Sequence, residues 1–131
     1  MKSTRIPSWL KRPSQAASST NEVKRLLRTS NLNTVCEEAR CPNISDCFSR
    51  GTATFMILGD VCTRGCRFCS VHTGKPLMAS AGFKMEADNV ATAAKTLGLR
   101  HVVVTSVARD DLEDGGASGF VETITSLKRE L

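Results

Sequence analysis

The sequence predicts an α/β fold in which a cysteine-bearing helical segment precedes alternating strands and helices. Three observations carry this. The six cysteines form two tight triplets, Cys36/Cys41/Cys47 and Cys62/Cys66/Cys69, with none left over. Two short apolar runs, Ala53–Leu58 and His101–Ser106, read as buried strands. Helical patterns follow each run, and strand–helix alternation predicts parallel strands joined by right-handed crossovers.

Taken in order, residues 1–20 read as extended, because Pro7, Pro13 and the Ser-rich stretch Ser14–Thr20 oppose regular structure. A short helix is expected from about Asn21, with Val23, Leu26 and Leu27 at helical spacing and Ser30-Asn31 as its end. Thr34-Val35-Cys36-Glu37 fits a capping box, with Thr34 as cap and Glu37 answering three residues on. Asn43 and Asp46 offer a second cap just after Pro42. The first triplet is therefore expected on two short helical turns joined by a bend. The run Ala53–Leu58, bounded by Gly51 and Gly59, is the first strand, and the second triplet follows in a glycine-containing loop. Glu86–Leu97 is expected as a helix with Val90, Ala93, Ala94 and Leu97 inward and Gly98 as its stop. After the strand His101–Ser106, the polar loop Arg109–Gly116 leads to a last helix in which Phe120, Ile124, Leu127 and Leu131 share a face.

Composition limits the function classes. The chain has 131 residues, 40% hydrophobic and 5% aromatic, with no tyrosine. That is enough apolar material for one modest domain or part of a larger one. The 18 basic against 13 acidic residues give a net charge of +5. This excess does not demand nucleic acid and suits an acidic protein substrate or a diphosphate equally. No stretch approaches the roughly 18 apolar residues of a membrane span, and the N-terminus lacks the apolar core of a secretory signal. Clustered cysteines without such a signal point to a reducing, cytoplasmic setting and to metal. The acid-free start carrying Lys2, Arg5, Lys11 and Arg12 also matches the composition of an organelle transit peptide.

The run Cys62-Thr63-Arg64-Gly65-Cys66-Arg67-Phe68-Cys69 is C-x3-C-x2-C. Three thiolates that close together suit an iron–sulfur cube, whose fourth iron is left open for chemistry. The loop sits at the C-terminal end of a predicted strand, where α/β barrels carry their active-site loops. Gly65 lets the backbone approach, and Thr63, Arg64 and Arg67 bring donors and positive charge that stabilise an anionic cluster. The competing reading is a Cys3His zinc site using His72; a disulfide is the weakest option in a reducing compartment. For the first triplet the alternatives are a zinc knuckle short of one ligand or buried structural thiols. In the Arg109–Gly116 loop, Asp110, Asp111 and Asp114 precede a helix, so helix entry competes with substrate contact. His101 at a strand start reads as a packed or surface residue, and Trp9 as an anchor for the N-terminal arm or for a partner, with packing the default.

The C-x3-C-x-aromatic-C pattern, with Phe68 as the aromatic, resembles the signature of the radical S-adenosylmethionine enzymes. The flanking segments Arg5-Ile-Pro-Ser-Trp9, Val35-Cys-Glu-Glu-Ala-Arg-Cys-Pro-Asn43, Gly51-Thr-Ala-Thr-Phe-Met-Ile-Leu-Gly59 and Arg109-Asp-Asp-Leu-Glu-Asp-Gly-Gly-Ala117 resemble the lipoyl synthase family. So does the placing of a C-x4-C-x5-C triplet beside the C-x3-C-x2-C run. The resemblance implies two 4Fe–4S clusters and S-adenosyl-L-methionine as cofactors. It casts Cys62, Cys66 and Cys69 as catalytic cluster ligands, and Phe68, Thr105 and Ser106 as cofactor-binding residues. Cys36, Cys41 and Cys47 become ligands of an auxiliary, sulfur-donating cluster. The implied reaction is radical insertion of sulfur at C6 and C8 of an octanoyl group. The implied partners are an octanoylated lipoyl carrier domain or H protein and an electron donor such as flavodoxin or ferredoxin, with no nucleic acid and no membrane.

The resemblance further implies residues 1–50 as arm and auxiliary-cluster cap, and residues 51–131 as the first two strand–helix units of a partial (β/α) barrel. The family's barrel has about six such units and takes a fourth auxiliary ligand from a serine near its C-terminus; neither is found in this sequence. The chain is thus expected to be incomplete for the reaction, as an inactive N-terminal fragment or one half of a split enzyme. A small iron–sulfur or zinc-binding module is the alternative of another class.

Overall fold

The structure, a computed structural model, describes residues 7–10, 17–77 and 79–131. Ser8–Leu10 form one 3-10 turn, and the rest of the expected N-terminal arm up to residue 16 lies outside the described residues. Trp9 is 78% exposed there, so it does not serve the packing role expected of it. Helix α1 spans Ala17–Thr29, starting four residues earlier than expected. Thr20 within its first turns is buried, so packing there overrides the weak helix preference of the Ser-rich stretch. Leu27 is fully buried, with Val23 and Leu26 beside it, and Asn31 at φ 52° ends the helix as expected.

A three-stranded sheet runs in the order β1 (Asn33–Thr34), β2 (Thr52–Ile57), β5 (His101–Ser106). The short β1 is antiparallel to β2, pairing Thr34 with Phe55, a strand the sequence reading did not include. β2 and β5 are parallel, in register from Thr52 opposite His101 to Ile57 opposite Ser106. β2 is buried through Phe55, Met56 and Ile57. β5 differs from the buried strand expected. Within the described residues it is the sheet edge; Val102 and Val104 pack on the core while His101 and Val103 are exposed.

Between β1 and β2 lie α2 (Val35–Glu38) and α3 (Ile44–Ser49), the two short turns expected around the first triplet. Between β2 and β5 lie two further small strands, β3 (Val61–Cys62) and β4 (His72–Thr73), and helix α4 (Phe83–Thr96). α4 begins three residues before the expected start, buries Val90, Ala93 and Ala94 as expected, and is stopped at Gly98, which takes φ 58°.

Helix α5 (Ala117–Glu130) packs against α4, but not through the face expected. Its buried positions are Gly119, Thr123 and Ser126, while Ile124 and Leu131 are exposed and Phe120 and Leu127 are only partly covered. Small residues let the two helix backbones approach, and the close contact displaces the larger apolar side chains to the rim. Ser126 Oγ donates to Asp88 Oδ1 at 2.7 Å across this contact, and Arg129 reaches the same oxygen at 2.9 Å.

Candidate metal and cofactor site

Both cysteine triplets lie on connections that flank β2. The first is organised by near neighbours in sequence. Thr34 takes an extended conformation at the start of α2, and its Oγ1 accepts the Glu37 N–H at 3.3 Å, the capping bond expected. Glu37 then turns its own carboxylate to Arg28, 3.8 Å away, rather than closing the reciprocal half of the box. The Cys41 N–H donates to the Cys36 carbonyl at 3.1 Å, and the Cys47 N–H donates to the Asn43 carbonyl at 3.0 Å. Asn43 stands at the start of α3 without a side-chain capping bond, and Asp46 pairs with Arg50 instead. All three thiols are half-buried. Cys36 and Cys41 face an open cavity of about 600 Å³, with Lys24, Arg28 and Arg40 on its walls.

The second triplet is organised by residues far away in sequence. β2 ends at Leu58 and Gly59, which turn through φ 71° and 96°. Two residues later β3 begins, with Cys62 as its second residue; it pairs in parallel with β4, so the loop between Cys62 and His72 is closed at its base. Gly74 N–H donates to the Cys62 carbonyl at 3.0 Å, Thr73 Oγ1 to the Arg64 carbonyl at 3.2 Å, and Cys69 N–H to the Cys66 carbonyl at 3.0 Å. The segment that leaves β5 holds the other side. Thr63 N–H donates to the Ala108 carbonyl at 3.1 Å, and the Ala108 N–H donates to the Cys62 sulfur at 3.3 Å. Arg64 makes a two-pronged pair with Asp110 at 2.7 and 2.9 Å, and Thr63 Oγ1 adds a third bond to that carboxylate at 2.7 Å. These bonds, Arg64 first, hold the Asp110 carboxyl at about 2, below the ordinary 3.8, and raise the Arg64 guanidinium in turn.

Cys62 is half-buried against the core, whereas Cys66 and Cys69 are exposed. Phe68, expected to bind cofactor, is 93% exposed on the same loop. Thr105 and Ser106 end β5, opposite Met56 and Ile57, at the end of the sheet from which the cysteine loop departs. His72 is exposed in β4. The six cysteines are free thiols, and among the described residues no three His, Cys, Asp or Glu side chains are gathered in an arrangement that holds a metal ion. The chemistry of the donor set nevertheless fits an iron–sulfur group. Each connection carries three thiols, and the second adds an amide N–H aimed at a sulfur and a cationic side chain beside it.

The loop after β5 resolves the competition between helix entry and ligand contact residue by residue. Asp114 is a helix-entry residue: it accepts the Gly116 and Ser118 N–H groups at 2.9 and 2.8 Å, and its carboxyl is held at about 2 by the Ser118 and Gly116 bonds. Asp110 is a clamp on the cysteine loop, and Asp111 pairs with the buried Arg109 through two bonds of 2.9 Å. Sequence reasoning missed both this clamp and Glu86. The Glu86 carboxylate is buried and accepts the Leu58 and Gly59 N–H groups at 2.8 and 3.2 Å. Burial raises its carboxyl above the ordinary value despite those two bonds and the nearby Arg109 charge. Its position four residues before Val90, on the inward stripe of α4, was the available signal.

A C-x3-C-x2-C loop leaving the end of a parallel strand is the arrangement expected of a radical S-adenosylmethionine family protein. Comparison with known proteins narrows this. Residues 1–41 match the family described as the N-terminal domain of lipoyl synthase of the radical SAM family. The lipoyl synthase of Symbiobacterium thermophilum is 57% identical over 127 residues, covering 97% of this chain and 39% of the relative. That of Oceanobacillus iheyensis is 55% identical over 96% of this chain and 40% of the relative. For Caldicellulosiruptor saccharolyticus the values are 53%, 98% and 44%. The chain belongs to the lipoyl synthase family and spans the N-terminal part, about 40% of the length of the curated relatives it matches. Among the described residues no helix is long and apolar enough to cross a membrane.

Proposed function

We propose that this chain supplies the metal-binding part of a lipoyl synthase. In this reading residues 1–50 form an arm and auxiliary-cluster cap, and residues 51–131 form the opening strand–helix units of a (β/α) barrel. Cys62, Cys66 and Cys69 would hold one 4Fe–4S cluster, and Cys36, Cys41 and Cys47 would hold a second. When bound, the first supplies reductive cleavage of S-adenosylmethionine to a carbon radical, and the second supplies sulfur. The chain's own residues bind and orient. The Ala108 amide donates to the Cys62 sulfur and so fixes its direction. The Asp110 clamp fixes Thr63 and Arg64 between the first two ligands, with the Arg64 cation beside an anionic group. Thr105 and Ser106 offer hydroxyls to the methionyl end of the cofactor, and Phe68 offers an apolar face on the same loop.

The substrate in this reading is an octanoyl group on a lipoyl carrier domain or H protein, converted at C6 and C8. A flavodoxin or ferredoxin supplies electrons, and the setting is the cytoplasm. The observation that carries the reading is the amide-to-sulfur bond at Cys62 together with the tether of the C-x3-C-x2-C loop to the exit of β5. The test is anaerobic reconstitution with iron and sulfide. About eight irons per chain are expected from two cubes. Iron near zero with stoichiometric zinc would contradict the reading in favour of a zinc-binding module.

A further inference from the structure

The peptide units of Leu58 and Gly59 are gripped by opposite charges from two separate elements. The Glu86 carboxylate on α4 accepts both N–H groups, and the Arg109 guanidinium after β5 donates to the Leu58 carbonyl at 3.0 Å. Arg109 is itself 3% exposed, paired with Asp111 and stacked over the Phe83 ring at 5.8 Å. Leu58 is fully buried and takes φ 71°, a conformation that disfavours any residue with a Cβ. Its side chain fills the space left by Gly116 and Gly119, where an added Cβ would overlap the Leu58 methyls. A leucine held left-handed relaxes toward extended backbone when released, and Asp60 and Val61 alone separate Gly59 from Cys62. The direction of this turn therefore sets where Cys62 lies.

We propose that Glu86 and Arg109 are positioning residues that aim the Cys62–Cys69 loop by holding the Leu58–Gly59 turn in its left-handed form. Arg109 and its neighbour Asp110 then act on successive parts of one path, Arg109 on the turn and Asp110 on Thr63 and Arg64. The purpose of the aim rests on the reading of that loop as a cluster site, but the hold on the turn is made by this chain's own residues.

The test is thiol alkylation of the full metal-free chain, reduced and anaerobic, with Cys62 and Cys36 quantified by peptide mass spectrometry. The two are matched reporters, both half-buried and packed against the core. In Glu86→Ala, with native far-UV circular dichroism, the Cys62 rate is expected to rise about tenfold relative to Cys36, because two buried N–H groups lose their acceptor. Glu86→Gln keeps one carbonyl oxygen and is expected to raise the ratio only about threefold. An equal rise at both cysteines, or no rise at Cys62, overturns the proposal. If Glu86→Ala does not keep the native spectrum, Glu86→Gln carries the same decision alone. Iron content of the unmutated chain is read separately. Its absence beside a selective Cys62 effect would sink the cluster reading and leave the positioning intact.

Discussion

The two cysteine triplets carry the same number of thiols and are held by opposite means. Cys36, Cys41 and Cys47 sit on α2, α3 and the bend between them, fixed by hydrogen bonds that span three to five residues. Cys62, Cys66 and Cys69 sit on a loop that has short local bonds of its own, but whose first residues, Cys62, Thr63 and Arg64, are also fixed by bonds that span 45 to 47 residues, from Ala108 and Asp110. Locally held groups depend on their own short helices forming. A loop tethered to a neighbouring strand depends on the sheet and on both helices behind it. The first triplet is thus sensitive to helix capping, and the second to the packing of α4, α5 and the exit of β5.

The largest effect that would break this contrast is expected at Gly119. A Cβ there would overlap Leu58 Cδ2 while meeting Phe83 at ordinary contact distance. Gly119→Ala is expected to cost about 1–3 kcal/mol of overpacking in denaturant unfolding. Below the transition it should raise alkylation at Cys62 more than at Cys36. Next, Thr34→Ala removes the cap of α2 and should cost about 1 kcal/mol. Its alkylation pattern should be the reverse, with Cys36 more reactive and Cys62 unchanged. Equal responses of the two cysteines to either variant would dissolve the distinction.

How much of this was legible follows from the same contrast. Thr34 and Glu37 announce the cap of α2 because both partners lie within one turn, and the apolar run after Gly51 announces β2. What joins distant residues was not legible. Nothing near Arg64 marks Asp110 as its partner, and the order of acids in Arg109–Gly116 does not tell the clamp Asp110 from the helix-entry Asp114. The inner face of α5 was misread because burial there follows how closely two helices approach, which favours Gly119 and Ser126 over Ile124. The β3–β4 pair escaped notice because two-residue strands carry no periodicity.

The smallest effect on stability is expected at Asp110, whose ion pair with Arg64 is half exposed and screened by solvent. Asp110→Asn should leave the unfolding midpoint nearly unchanged, yet speed trypsin cleavage after Arg64. The pH dependence has the sign of a depressed carboxyl. Its folded value of about 2 lies below the ordinary 3.8, so the tie is complete above the ordinary value and is lost as pH falls toward about 2. Limited acid-stable proteolysis across that window should show the loop loosening on acidification and not on alkalinisation.

The central claim is that the two triplets are separate metal sites held by separate parts of the fold. Iron content after anaerobic reconstitution measures this directly in three proteins: the unmutated chain, one with Cys62, Cys66 and Cys69 replaced by serine, and one with Cys36, Cys41 and Cys47 replaced. The account predicts about eight irons in the first and about four in each of the others. Loss of all iron in either triple variant, or retention of all iron in both, would contradict it.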